Sequence, residues 1–231
     1  MVQKTGIIVQ KKNYTLRTWQ TEDVASLAQY LNNKNIWDNC RDGLPYPYSQ
    51  EDANVFLSMV QAKENIQDFC IEVNGEAVGS IGFVPATDVE RFSTEVGYWI
   101  GEPFWNQGIV TDALKEAINY YFEHTDKVRV FAVVFEHNSP SMRVLEKVGF
   151  KKTGIFRKAC YKNGRICQLS LHRSRTSCPF QDSLPGARVQ RGAGRLWRPQ
   201  KATGLLKHRP SRQARPQPFE GSQGGTPCPV I

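Results

Sequence analysis

The run Val128-Arg-Val-Phe-Ala-Val-Val-Phe135 constrains the fold most, because it is almost unbroken in β-branched and aromatic residues. A strand with one wet face alternates apolar and polar side chains, whereas an uninterrupted run needs cover on both faces. The chain is therefore expected to build a sheet with helices on both sides. Signals elsewhere agree. Tyr14 to Trp19 alternates like a strand, and Thr21-Glu22-Asp23 opens a helix carrying Val24, Leu27, Ala28 and Leu31 at helical spacing. Ser49 to Asp52 caps a second helix with Ala53, Phe56, Leu57 and Val60 as its stripe. Asn74-Gly75 joins strands 68–73 and 77–84 as a hairpin, and a strand at 93–100 precedes a helix at 111–123. Asn138 caps a short helix that stops at Gly149, and Asn163-Gly164 marks a second hairpin turn. The order is strand, two helices, three strands, helix, strand, helix and closing hairpin, which implies an α/β fold with one mixed sheet.

Charge divides the chain. Residues 1–172 hold 19 Lys and Arg against 20 Asp and Glu, while residues 173–231 hold 11 against 2. The overall charge of +8 thus belongs to the C-terminal segment, which also contains nine Arg, eight Pro and seven Gly. Such a stretch cannot offset its ordering entropy by burial, so it is expected to be a disordered basic tail following a domain at 1–172. Nucleic acid is not expected as a partner except through that tail. Ile166 to His172 only approximates a closing strand, and the compositional switch after it predicts a shifted reading frame near codon 167, which the nucleotide sequence would decide. Six scattered cysteines with no Cys-x-x-Cys pair, together with four histidines, suggest reduced thiols and no metal site. No apolar stretch reaches the length of a membrane span, so a soluble protein is expected, and the reduced thiols point to the cytoplasm.

Two segments carry chemistry. In Tyr98 to Leu114 a strand end turns through Gly108 into a helix, and free N–H groups at a helix start form an anion site suited to a pyrophosphate. Asn138 and Ser141 stand together at the start of the short helix, facing the entrance of a crevice beside the preceding strand. Each alone is ordinary capping; their order, one helix and one strand apart, is not.

With these motifs the chain resembles the GCN5-related N-acetyltransferase superfamily, in its branch like the ribosomal-protein N-terminal acetyltransferases. The resemblance runs from about Tyr14 to Arg165. It rests on Leu16-Arg17 with Glu22-Asp23, Pro45-Tyr-Pro-Tyr48 before Asp52-Ala53, Gly79-Ser-Ile-Gly82, Glu95-Val-Gly-Tyr-Trp99, Gly108-Ile-Val-Thr-Asp-Ala113, and Asn138-x-x-Ser141 through Leu145-Glu-Lys-Val-Gly-Phe150. It implies a mostly antiparallel sheet flanked by helices and splayed between its fourth and fifth strands, with acetyl-CoA as co-substrate. Tyr98, Trp99 and Ile100 would then pair with the pantetheine arm, and the loop Asn106, Gln107, Gly108, Ile109, Val110 and Thr111 would cradle the pyrophosphate, with Asn138 and Ser141 nearby. Trp105 and Val110 depart from the usual phosphate-loop pattern, which weakens the motif without refuting it, because backbone N–H groups make most phosphate contacts.

The implied reaction moves an acetyl group to a primary amine, on a protein N-terminus or a small molecule. Glu95 is the candidate base, acting directly or through water. The tyrosine that many relatives use as general acid falls at Leu145, which leaves Ser141 as the nearby candidate, and a glutamate proposed in some relatives is replaced by Cys160. Trp37, Asp42 and Tyr48, in the aromatic-rich segment 32–48, are the candidate acceptor wall. A non-catalytic acyl-CoA-binding or regulatory module is the competing class, and a homodimer is the oligomeric alternative.

Overall fold

The computed structural model describes residues 6–174. Eight strands form one sheet in the order β1-β2-β3-β4-β5-β6-β8-β7. They are β1 (Ile7–Gln10), β2 (Thr15–Thr18), β3 (Asp68–Val73), β4 (Glu76–Pro85), β5 (Ser93–Ile100), β6 (Arg129–Phe135), β7 (Lys151–Lys162) and β8 (Arg165–Arg173). Five helices accompany them: α1 (Val24–Leu31), α2 (Lys34–Trp37), α3 (Gln50–Ala62), α4 (Ile109–His124) and α5 (Ser139–Val148). All neighbours pair antiparallel except β5 and β6.

The run at 128–135 is not buried on both sides as expected: Val130, Ala132 and Val134 join a core cluster, while Phe131 and Val133 on the other face stay half-buried. Over the centre of the sheet the two faces are covered by different helices. On one, Val96, Tyr98 and Ile100 pack with Ala113, Leu114, Ala117 and Tyr121 of α4 and Leu145 of α5. On the other, Trp99, Cys70 and Ala77 pack with Leu27, Leu31, Ile36 and Leu57 from α1, α2 and α3. The alternation of β5 between these two clusters follows from the two-residue period of a strand. A buried ion pair locks the start of the sheet to α1: Arg17, 4% exposed, donates from both terminal nitrogens to Asp23 at 2.8 Å. Such a fork-on-carboxylate pair fixes geometry as well as charge.

Two elements differ from the expected order. Before Tyr14 lies an additional edge strand, β1, whose four residues are too few to show periodicity and are held by pairing with β2. Within the irregular segment 32–48, Asn33 accepts hydrogen bonds from the N–H groups of Asn35 and Ile36 and nucleates the single turn of α2. The last strand is present: β8 pairs with both β6 and β7, and its core-facing positions are Ser170 and His172, each 0% exposed. Polar residues at those positions are what blurred its pattern. The expected boundary after His172 falls one residue before the end of β8; the basic tail lies outside the described residues.

Candidate active site

The splay expected between the fourth and fifth strands lies between β5 and β6. These strands pair in parallel only at Ser93–Arg129, Thr94–Val130 and Glu95–Phe131; β6 pairs with β8 along its other edge, and beyond Glu95 no described strand lies beside β5 on that side. Into this fork opens a cavity of about 490 Å³. Its walls are the end of β5 (Tyr98, Trp99, Ile100), the loop and first turn of α4 (Asn106, Gly108, Ile109, Val110, Thr111), and the junction of β6 with α5 (His137, Asn138, Ser141).

Both helices begin at the cavity for local reasons. Gly108 caps α4 at φ 77°, a left-handed conformation that a side chain disfavours, and Asn106 before it takes φ 61°. The first backbone bond of the helix runs from Asp112 N–H to the Gly108 carbonyl, so the N–H groups of residues 109–111 receive no acceptor from the helix itself. With the helix dipole they make an anion site. At α5, Asn138 accepts from the Ser141 N–H at 3.2 Å while its own side-chain nitrogen is buried without a partner among the described residues. An amide N–H of this kind, 4% exposed in a cavity wall, fits a carbonyl-bearing chain such as pantetheine. The Tyr98 hydroxyl reaches across to Ser141, at 2.8 Å from Oγ and donating to the carbonyl at 3.0 Å. Burial raises the Tyr98 pKa well above that of a free phenol, so this hydroxyl keeps its proton.

The other face of β5 presents Glu95, where the strands part. It is half-buried and ion-paired with Arg41 from the loop after α2, and it does not line the cavity. Four residues along the same face, about 13 Å by strand rise, Trp99 does. Beside Trp99 the mouth is walled by Asn35, Asp38 and Asn39. Glu102 anchors this wall by accepting from Asn33 at 2.7 Å and Asn35 at 3.1 Å, contacts that hold its pKa below the usual carboxylate value. Asp38 accepts from Lys34 at 2.6 Å and from Asn163 at 2.8 Å, and its pKa is lowered by these partners against the opposing effect of burial.

Of the residues singled out in the sequence, Tyr98, Trp99, Ile100, Asn106, Gly108, Ile109, Val110, Thr111, Asn138 and Ser141 are brought together around the cavity. Gln107 turns back to donate to the Pro103 carbonyl. Trp37, Asp42 and Tyr48 stand away from the lining. The Trp37 indole donates to the Leu44 carbonyl with Lys162 over its ring, Asp42 pairs with Lys162, and Tyr48 is packed in the core with Trp19 and Leu27. Leu145, in the place of the familiar tyrosine, is 0% exposed within the core. Sequence reasoning passed over Arg143 and Lys147, exposed cations on the cavity side of α5. Their i, i+4 spacing was the available signal. Among the described residues no cluster of His, Cys, Asp or Glu could hold a metal ion.

A family model described as acetyltransferase (GNAT) domain matches residues 13–151. Among curated proteins, the uncharacterized N-acetyltransferase YoaA of Bacillus subtilis is 36% identical over 89 residues, 38% of this chain and 50% of that protein. The uncharacterized N-acetyltransferase p20 of Bacillus licheniformis is 26% identical over 157 residues, 66% of this chain and 86% of that protein. Among solved structures, RimL, described as a ribosomal L7/L12 alpha-N-protein acetyltransferase in complex with coenzyme A, superposes with a TM-score of 0.65 at 23% identity. That match covers 73% of this chain and 97% of RimL, and the likeness is one of fold.

Proposed function

The chain belongs to the GNAT acetyltransferase family as an acetyl-CoA-dependent acetyltransferase, and from that premise we propose that its acceptor is the terminal amine of an extended polypeptide. One observation carries the choice. Among the described residues lining the cavity, Asp38 alone bears a carboxylate, beside the amides of Asn35 and Asn39. A polycationic small molecule calls for several carboxylates, whereas amide side chains complement a peptide backbone, which both donates and accepts. The fold likeness to an alpha-N-protein acetyltransferase points the same way.

Acetyl-CoA supplies the activated acyl carbon, and the protein's part is to bind, orient and move protons. The N–H groups of residues 109–111, with Arg143 and Lys147 at the mouth, hold the phosphates. Asn138 and the end of β5 at Tyr98 to Ile100 orient the arm. Glu95, at the fork, takes the acceptor's proton through intervening water, the ammonium first replacing Arg41 as its cationic partner. The paired hydroxyls of Tyr98 and Ser141 return a proton to the departing thiolate, a role consistent with a phenol that stays protonated. Trp37 and Asp42 support the acceptor wall from behind, through Lys162.

Release of free thiol from acetyl-CoA, measured against peptides of free N-terminus and against spermidine, tests the acceptor. The expected result is a kcat/KM at least about tenfold higher on the peptides, a difference of about 1.4 kcal/mol in transition-state binding. A preference for spermidine would overturn it.

A further inference from the structure

The hairpin of β7 and β8 carries a feature that the acetyl transfer does not use. Cys160 and Cys167 are directly opposite each other across its two strands, as the third pair from the turn at Asn163-Gly164: Cys160 faces Cys167, Tyr161 faces Ile166, and Lys162 faces Arg165. Both thiols are free and partly exposed, unlike Cys40 and Cys70, which are buried. They interact directly, and the Cys160 pKa is raised by burial first and then by Cys167.

The pair also shares a face with a contact that matters. Positions two apart on a strand point the same way, so Cys160 and Cys167 lie on the same side of the hairpin as Lys162. That lysine is only 3% exposed; its ammonium is 3.5 Å from the centre of the Trp37 ring and 2.7 Å from Asp42. The turn residue Asn163 donates to Asp38. The tip of the hairpin therefore clasps the segment that walls the cavity mouth, and the two thiols sit one step behind the clasp.

We propose that Cys160 and Cys167 form an oxidisable dithiol site whose closure to a cross-strand disulfide loosens the grip of Lys162 and Asn163 on the wall at Trp37 to Asp42. The oxidant is a low-molecular-weight disulfide. One protein thiolate attacks it, forming a mixed disulfide and releasing one small thiol; the second protein thiolate attacks the mixed disulfide, forming the Cys160–Cys167 bond and releasing the other. Two protein thiols are oxidised by two electrons, one small disulfide is reduced to two thiols, and the two protons leave with them. Facing residues in a sheet have Cβ atoms about 4.5–5.5 Å apart, while a disulfide needs about 3.5–4.5 Å. Closure must draw the strands together beside Lys162. The neighbouring backbone can yield, since the pairing of β7 with β8 already slips between Phe156 and Cys160 and Lys158 stands at φ 52°.

The test places the full-length chain in glutathione buffers stepped from reduced to oxidised, blocks remaining thiols, and maps tryptic peptides. Under oxidising conditions residues 159–162 and 166–173 should appear as one disulfide-linked pair, reversed by dithiothreitol and absent from Cys167→Ser. Both thiols remaining open to alkylation in oxidised glutathione, or pairing with other cysteines or a second chain, would overturn the site. Hydrogen exchange reads the clasp without requiring any acceptor: peptides spanning residues 34–44 should exchange at least severalfold faster in the oxidised wild type and unchanged in Cys167→Ser under the same buffer. A linked pair with unchanged exchange in that segment would overturn the coupling.

Discussion

Glu95 occupies a position where two requirements meet. It lies on the last residue pair that joins β5 to β6, so its backbone is fixed by strands on both sides, and its side chain is paired with Arg41 from the loop after α2. Because the sheet holds its backbone, removing the charge of Glu95 alone should leave the fold intact and so tests its proposed role as base. Glu95→Gln is expected to lower kcat/KM by about 10²–10⁴ while the dissociation constant for acetyl-CoA stays within about twofold. A loss below about threefold would assign the proton transfer elsewhere. Glu95 was legible as a candidate because the strand pattern placed it; its partner Arg41 was not, because the loop that carries Arg41 has no periodicity to read.

At the scale of elements, the start of α4 and the closing strand behave differently under change. Gly108 is required by its backbone angle alone, since an added Cβ would meet nothing within 4 Å. Gly108→Ala should therefore cost about 1–2 kcal/mol of left-handed strain, visible as a weaker acetyl-CoA affinity and a lower Tm, whereas an unchanged affinity would remove this turn from the binding site. In β8, His172 is fully buried, with Nε2 3.0 Å from Ser170 Oγ and Nδ1 lacking a partner among the described residues. Burial first and Lys152 second push its pKa below 6.5, against the weaker pull of Glu146 and Glu136. The unfolded chain thus takes up a proton at a higher pH than the folded one. Stability is fully present above pH 6.5 and declines as pH falls below it toward the folded pKa. Tm should drop from about pH 7 to pH 5 in the wild type and flatten over that window in His172→Gln; equal slopes would acquit this histidine. These same polar core residues explain why the sequence under-reported β8. A strand is recognised by apolar alternation, and Ser170 and His172 suppress it, while β1 and α2 are too short to have a period. The elements with caps, Gly stops and Asn-Gly turns were legible because those signals act within a few residues.

Over the whole molecule, the order of motifs fixed which strand and helix ends converge, and ten of the residues read from sequence line the cavity. What could not be read was the far wall. Trp37, Asp42 and Tyr48 are aromatic and acidic residues in a loop, the composition of a binding surface, but long-range partners decide their use: Lys162 lies 120 residues from Asp42 in the chain. A contact of that separation leaves no trace in local pattern.

The parting of β5 from β6 has a thermodynamic consequence. A co-substrate that binds in the fork engages only the folded chain, so its binding adds to the stability of that state. Since the unfolded chain has no such fork, linkage requires acetyl-CoA at about 100 times its dissociation constant to add about 2.7 kcal/mol. For a domain of this size the thermal midpoint should rise by about 5–10 °C, and a scan that failed to move with co-substrate would mean the fork is closed in solution.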